Sequence, residues 1–265
     1  MRGIAWFGIF AASAFMLIPS CQKEDRSLYE SAERMQEQNK YEDAMNKLRF
    51  LVSEYPDSKY AARAYFKMGE ISYYHFRKPE AAMDSFVRAA ELDKGGATSL
   101  AAQKLIADIY QNHMRNYELA ILQYQKILKD YPNIEEQEEF YYLIGRAYFS
   151  KRDYKQAIIE FKSLADKFPE GKYKEDALYY LAVCHYIGGE PDKAAGLFIS
   201  FLKKHHHGKF DFDAQLGLAM SYEEMEKPEK ALEVYQRMMA QYPGRDLLAK
   251  KITAMNEKIG RLNKE

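Results

Sequence analysis

Apolar residues recur at spacings of three and four along most of the chain, which is the period of amphipathic helices and not of strands. Two such faces follow one another between residues 140 and 169, marked first by Tyr141, Ile144, Gly145 and Tyr148 and then by Ala157, Ile158, Phe161 and Leu164. Because no pair of helices can bury its apolar face alone, neighbouring pairs must stack. The pattern predicts an all-α fold of stacked helix hairpins.

The hairpin pattern repeats six times with a period of 37 to 38 residues. Each unit carries an alanine with a large apolar residue four positions later, at Ala44, Ala82, Ala120, Ala157, Ala194 and Ala231. Another small residue precedes each alanine by twelve or thirteen positions, at Ala32, Gly69, Ala107, Gly145, Ala182 and Ala219. Small residues at both places let two antiparallel helices approach closely. In units two and three we place one additional residue between the helices, in YHFRKP and QNHMRN.

Aromatic-proline pairs end four of the units, at Pro56, Pro132, Pro169 and Pro243. The last stretch, residues 246–265, is one more amphipathic segment. Its apolar side is formed by Leu247, Leu248, Ile252, Met255, Ile259 and Leu262. We expect this helix to cover the final hairpin with its lysines and arginines toward water.

The N-terminus differs in character from the repeats. Arg2 is followed by the uncharged apolar run 4–18, as in a secretory signal, so we assign residues 1–20 to a signal peptide. The alternative is a transmembrane anchor, since the uncharged stretch from Gly3 to Gln22 has about the length of a short membrane helix. Cleavage is favoured because Pro19 would end a helix and a small residue precedes Cys21.

The residues Ile18, Pro19, Ser20 and Cys21 resemble the lipobox of bacterial lipoproteins. The resemblance implies that Cys21 becomes the first residue of the mature chain and carries a diacylglycerol and an N-acyl lipid. Several acyl chains hold a protein at a bilayer durably, whereas one holds it weakly. Residues 21–26 would then be a short lipidated tether, and Gln22 after the cysteine hints at the outer membrane facing the periplasm.

The six-fold pattern of small, aromatic, alanine and terminal proline positions resembles the tetratricopeptide repeat. It implies a right-handed α-solenoid of about six hairpins over residues 27–245, with a capping helix over 246–265. The combination with a lipobox resembles the BamD lipoproteins of the outer-membrane β-barrel assembly machine. The stretches YPDSKYAARAYFKMGEI and FPEGKYKEDALYYLA are also similar to the repeat region of the YbgF proteins.

Charge and motifs bear on the function class. Lys plus Arg and Asp plus Glu both total 39, so the balance gives no sign of nucleic acid as a partner. Phosphate loops and the common hydrolase motifs are absent from the sequence, and we expect neither enzyme activity nor a cofactor beyond the lipid. Glu135, Glu136, Glu138 and Glu139 fit a helix start, where carboxylates complement the helix dipole. Cys184 lies in an apolar helical run, which is typical of a small core residue.

His205, His206 and His207 are the one cluster that suggests metal binding. Three consecutive residues cannot all converge on one ion, so a solvated turn is the preferred interpretation and metal binding is left open.

A function without catalysis would lie in the surface of the first helices, which line a concave groove in a right-handed stack. The positions that face this groove are rich in aromatic residues, and the predicted partner-binding residues are Phe66, Tyr73, Tyr74, Tyr142, Arg146, Phe149, Tyr179 and Tyr186. Tyr and Arg commonly dominate binding energy at interfaces. The alternative is that the tyrosines pack between repeats.

These features predict an outer-membrane-anchored periplasmic scaffold for protein partners, with outer-membrane protein assembly as the process. The alternative is an accessory lipoprotein of a transporter, a pilus or secretion system, or a Tol–Pal-type envelope complex.

Overall fold

The computed structural model describes residues 18–205 and 208–264, with the side chains of residues 18–22 outside that description. Helices connected by short turns make up this part of the chain, and it contains no strand. The chain splits into two compact units, unit 1 (Met1–His113) and unit 2 (Met114–Glu265). This is the all-α solenoid of helix hairpins that the hydrophobic pattern predicts.

Among its described residues, from Ile18 onward, unit 1 contains five helices and two π-helical turns. They are α1 (Ile18–Glu37), α2 (Tyr41–Glu54), α3 (Ala61–Glu70), π1 (Ile71–His75), α4 (Pro79–Leu92), α5 (Ala97–Asp108) and π2 (Ile109–His113). The described part of unit 2 contains eight helices: α6 (Tyr117–Asp130), α7 (Gln137–Ser150), α8 (Tyr154–Lys167), α9 (Lys174–Ile187), α10 (Pro191–Lys204), α11 (Asp211–Glu224), α12 (Pro228–Gln241) and α13 (Asp246–Leu262). Within each unit, helices that follow one another pack side by side.

The small positions of the repeat lie where helices approach most closely, as predicted. A Cβ placed on Gly145 would lie 2.7 Å from the Phe161 ring, so α7 and α8 could not pack this closely with a larger residue there. The repeated alanines such as Ala157 and Ala182 are fully buried, and so is Phe161. Burial of apolar surface at these positions stabilises each hairpin.

The extra residue of the second and third repeat hairpins lies inside the first helix of each hairpin and not between the two helices, so our placement was wrong. Backbone hydrogen bonding widens to a π turn at Ile71–His75 and again at Ile109–His113. A π turn takes up one inserted residue without interrupting the helix. The two hairpins whose small residues are thirteen positions apart are the two that contain π turns.

A residue with positive φ ends the first helix of each hairpin. These residues are Asn39, Arg77, Arg115, Arg152, Gly189 and Glu226. After α7, the Asp153 N–H donates to the Tyr148 carbonyl at 3.0 Å and the Arg152 N–H to the Phe149 carbonyl at 3.0 Å. This pair of bonds is the Schellman motif, which satisfies the last carbonyls of the helix and turns the chain into α8.

The C-terminal helix α13 packs on α12, as expected of a cap. Leu248 and Met255 are buried, and Ile252 is partly buried against the same core. Leu247 and Leu262 are each 49% exposed, so their assignment to the covered face was wrong. The contact stripe of α13 is therefore narrower than the six apolar positions predicted.

The N-terminal assignments fall largely outside the described residues. Residues 1–17 of the predicted signal peptide are not described, and α1 begins at Ile18, so residues 21–26 are helical in backbone. Asp25 is buried and accepts a hydrogen bond from the Ser58 Oγ at 2.6 Å. Among the helices that the structure describes, none has the length and apolar character required to cross a membrane.

Candidate protein-binding site

The predicted residues of α7 are gathered around Tyr180 of α9, a residue that the sequence analysis missed. The guanidinium carbon of Arg146 lies 4.6 Å from the centre of the Tyr180 ring, and its Nη1 donates to the Tyr142 Oη at 2.9 Å. Phe149 and Tyr179 present ring edges to Tyr180 at 5.3 and 5.4 Å. We call these five residues, Tyr142, Arg146, Phe149, Tyr179 and Tyr180, the Tyr180 cluster.

Two members of the Tyr180 cluster also hold neighbouring hairpins together. Tyr142 stacks on Tyr173 with ring centres 4.6 Å apart, and Tyr179 stacks on Phe210 at 4.1 Å. Each partner lies 31 residues further along the chain, just before the first helix of the next hairpin. Aromatic packing between repeats, the alternative that the sequence left open, therefore occupies one face of these rings. The cluster members remain partly exposed.

A buried carboxylate lies under the cluster. Asp176 is 6% exposed, accepts from the Lys209 Nζ at 2.5 Å and lies 3.4 Å from the Tyr142 Oη. The lysine offsets the cost of burying this charge. The Arg146 Nε is itself buried without a hydrogen-bond partner among the described residues.

Burial makes two phenols of the cluster harder to ionise. It raises the pKa of Tyr142, and it raises the pKa of Tyr179 to about 12 with help from Asp213. Near neutral pH these side chains are therefore hydrogen-bonding phenols and not anions. Together with the arginine they form a mainly apolar, singly cationic surface.

Tyr186, the last predicted residue of unit 2, lies in a more acidic setting. Burial and the nearby Glu224 and Glu223 raise its pKa. Glu223 is held by Lys251 of α13 at 2.8 Å and by the Tyr235 hydroxyl. The structure therefore does not bring Tyr186 into the Tyr180 cluster.

Unit 1 holds the other three predicted residues. Phe66 packs at 5.6 Å against Phe86 of the same hairpin. Tyr73 donates to Asp108 and meets Tyr74 at 4.9 Å, on the π1 turn. Tyr74 is 55% exposed, the most accessible of the aromatic residues predicted for the groove.

The histidines, the cysteine and the glutamates that the sequence singled out form no metal-binding or catalytic site among the described residues. His205 stacks on Phe201 and lies 3.7 Å from Glu175, while His206 and His207 lie outside the description. In the part of the chain that the structure covers, no group of three potential metal ligands occurs. Cys184 is buried, as predicted, and burial raises the pKa of its thiol to about 12. Glu138 and Glu139 lie in the first turn of α7, also as predicted.

Comparison with protein families identifies tetratricopeptide repeats in the C-terminal part of the chain. One repeat model matches residues 176–205 and 213–245, and a second matches residues 113–172. Comparison with curated proteins gives no match. The predicted tetratricopeptide repeats are thus confirmed over these residues. Such repeats generally serve as non-enzymatic scaffolds that bind proteins.

Solved structures share the fold at low sequence identity. The C-terminal part of a repeat-containing protein from Cytophaga hutchinsonii is 18% identical with a TM-score of 0.61, over 86% of this chain and 85% of that one. PilW, a type IV pilus biogenesis factor, is 15% identical with a TM-score of 0.54, over 85% and 97%. YrrB, a repeat protein with an unusual peptide-binding site, is 20% identical with a TM-score of 0.53, over 77% and 96%. The resemblance to BamD and YbgF stays a prediction.

Proposed function

We propose that this tetratricopeptide repeat chain is a lipid-anchored scaffold of the bacterial envelope that binds protein partners through its first helices. Its body would face the periplasm from the outer membrane, and its first candidate process is the assembly of outer-membrane proteins. The Tyr180 cluster, with Tyr186 as a further contact residue, would supply the binding surface of unit 2. Phe66, Tyr73 and Tyr74 would be separate contact residues on unit 1.

The Tyr180 cluster is the observation that carries the binding role. It places one arginine and four aromatic rings on two consecutive first helices, α7 and α9, and leaves all five side chains partly exposed. Aromatic and arginine side chains in this state supply large contact area at modest entropic cost. Stacking on Tyr173 and Phe210 fixes the rings before a partner arrives. Preorganisation of this kind strengthens binding.

The anchor and the location rest on the sequence around Cys21. A lipobox-like motif, an apolar N-terminal run and Gln22 after the cysteine support an acylated protein of the outer membrane. The assembly role rests on the resemblance to the BamD lipoproteins, which also combine a lipid anchor with these repeats.

A second candidate is an accessory lipoprotein of a pilus or secretion system, a transporter or a Tol–Pal-type complex. The structural likeness to PilW, a pilus biogenesis factor, supports this candidate through a shared fold at 15% sequence identity. Both candidates use the same surface and differ in the partner.

A charge reversal tests the binding surface. Arg146→Glu should reduce the amount of partner recovered after mild detergent extraction by about tenfold, because a charged hydrogen-bonding group at an interface centre contributes about 1.5–3 kcal/mol. Lys162→Glu on α8 is the matched control, since Lys162 is exposed and carries the same charge. Circular dichroism and melting of both variants show whether the fold is kept, and Arg146→Gln serves if the reversal destabilises the chain.

The identity of the recovered protein separates the candidate processes. A β-barrel assembly component supports the first, and a pilus, secretion or transport protein supports the second. Equal recovery with folded Arg146→Glu and with Lys162→Glu would rule out the Tyr180 cluster as the binding surface.

A further inference from the structure

A cavity of about 470 Å³ opens between helices of unit 2, and none of its lining residues belongs to the Tyr180 cluster. Helices α10, α11 and α12 line it, with Ile199, Leu202, Lys203, Asp211, Gln215, Leu218, Arg237 and Gln241. We call it the outer cavity. Its volume lies within the range of small-ligand pockets, about 300–1,000 Å³.

The outer cavity lies on a different face of α11 from the predicted groove. Its α11 residues, Asp211, Gln215 and Leu218, follow one another at spacings of four and three and share one side of the helix. The predicted groove residues lie three positions before the small residue of a first helix, or one, four or five positions after it. On α11 the small residue is Ala219, and these positions are Leu216, Met220, Glu223 and Glu224. At about 100° per residue these point to another side of the same helix.

The floor of the cavity is polar and incompletely satisfied. Gln215 is 4% exposed, and its Nε2 donates to Asp211 at 3.0 Å and to Gln241 at 2.8 Å. Its Oε1 is buried with no hydrogen-bond partner among the described residues. Buried acceptors are normally satisfied, so this atom indicates a place for an N–H or O–H donor.

The rim of the cavity is cationic and the wall is apolar. Lys203 and Arg237 are exposed and make no ion pair within the described part of the chain. Ile199, 47% exposed, and the partly buried Leu202 form the wall with Leu218. Asp211 is engaged by the Tyr242 hydroxyl at 2.7 Å and by Gln215, so its charge is directed into the protein.

We propose that the outer cavity binds the free C-terminus of a polypeptide that ends in apolar residues. The terminal carboxylate would pair with Arg237 and Lys203, and the last side chains would lie against Ile199, Leu202 and Leu218. A backbone N–H would donate to Gln215, and the amide of Gln241 at the rim would donate to a backbone carbonyl. This alternation of donor and acceptor is what a peptide offers and a fatty acid lacks, although both combine an apolar body with a carboxylate.

The probe is a fluorescein-labelled peptide that ends in Ala-Leu-Leu with a free carboxylate, titrated with the full chain in detergent and followed by anisotropy. We expect saturable binding. The affinity should fall about tenfold when the peptide is amidated, because the loss of a hydrogen bond to a charged group lowers an affinity by about tenfold or more. The double variant Lys203→Gln and Arg237→Gln should weaken binding by a similar factor. Lys204→Gln with Lys230→Gln is the matched control, with the same charge change on the same two helices outside the cavity, and should bind normally.

Equal affinity for the acid and the amide would overturn the proposal, and so would an equal loss of affinity in the control pair. Displacement of the peptide by decanoate as effective as by the unlabelled peptide would also overturn it. The proposal does not depend on the role of the Tyr180 cluster, so Arg146→Glu should bind the probe normally. Loss of probe binding in that variant would place the peptide on the Tyr180 cluster and not in the outer cavity.

Discussion

Five residues with side chains hold a positive φ where first helices end, at 59° for Asn39, 55° for Arg77, 50° for Arg115, 64° for Arg152 and 54° for Glu226. The sixth such position is Gly189, at 78°. A left-handed backbone costs a residue with a Cβ about 1–2 kcal/mol, and asparagine less than most. The turn geometry is therefore imposed by the hairpin, and glycine fits it without strain.

This strain predicts opposite effects for two matched substitutions. Glu226→Gly should raise the free energy of unfolding by about 0.5–1 kcal/mol, since relief of backbone strain exceeds the entropy that glycine adds to the unfolded chain. Gly189→Ala should lower it by about 1 kcal/mol. Urea unfolding followed by circular dichroism measures both. Effects of the same sign would show that side-chain contacts, and not the backbone, govern these turns.

Cys184 makes the free energy of unfolding depend on pH in the alkaline range. Burial raises the pKa of its thiol from 9.0 to about 12, so the folded state keeps a proton that the unfolded state releases. The stabilisation is therefore complete below pH 9 and is lost as pH rises from 9 toward 12. At pH 10 the thiolate outnumbers the thiol by about ten to one in the unfolded chain. This ionisation lowers the free energy of unfolding by about 1.4 kcal/mol.

Cys184→Ala removes this titration and should flatten the pH dependence. We expect the loss of unfolding free energy between pH 8 and pH 10 to be about 1.4 kcal/mol smaller in the variant than in the unchanged chain, measured by urea unfolding at each pH. Tyrosines and lysines titrate alike in both and cancel in the difference. Identical slopes would contradict a buried, neutral thiol.

The buried positions of the repeat were predictable from sequence, and the binding surface only partly so. Small and aromatic residues recur because each repeat has the same close contact, as at Gly145 and Phe161. Tyr180, the centre of its cluster, was missed because it lies one residue beyond the expected groove position. The stacking of Tyr142 on Tyr173 has a visible signal, an aromatic pair 31 residues apart, which also occurs for Tyr29 and Tyr60.

The two π turns show how one inserted residue is absorbed by a repeat. The sequence shows that the small residues of hairpins two and three are thirteen and not twelve positions apart. It does not show where the extra residue lies, because the turn that follows and a bulge inside the helix give the same count. The structure places it within the helix, and the positive-φ residue Arg77 lies one position later than Arg152 does in hairpin four. The closing bond also widens by one residue, from the Lys78 N–H to the Ser72 carbonyl.

Deletion of Tyr74 should therefore be tolerated. It removes one residue of π1, restores the twelve-residue spacing and returns Arg77 to the turn position that Arg152 holds in hairpin four. We expect the free energy of unfolding to change by less than about 1 kcal/mol, since an exposed residue is lost.

Deletion of Ser150 is the control for this experiment. Ser150 is also exposed, but its removal leaves the two small residues of hairpin four only eleven positions apart. The residue with positive φ then no longer lies at the turn. That deletion should cost more than about 3 kcal/mol, because the apolar positions before and after it no longer face each other. Similar costs for both deletions, by thermal melting, would show that π1 is not an absorbed insertion.

If Cys21 is acylated, the two cysteines of the chain have opposite roles. Cys184 is enclosed by the core of unit 2, whereas Cys21 stands at the end of the apolar leader. A lipid anchor would place every hairpin on one side of a membrane, where partners that share the bilayer are within reach. Several acyl chains are needed for this, since a single chain binds reversibly.

Cys21→Ala tests the anchor against the alternative of a membrane-spanning leader. If Cys21 is acylated, the variant should lose all incorporation of labelled palmitate and accumulate as an uncut precursor, detected by mass spectrometry of the N-terminus. Cys184→Ala should incorporate palmitate as the unchanged chain does, because its thiol is buried. A spanning leader predicts instead that the unchanged chain takes up no palmitate and that both variants stay in the membrane uncut. An acylated, cleaved Cys21→Ala chain would refute the lipobox itself, and the anchored scaffold would then lose the feature that ties it to the envelope.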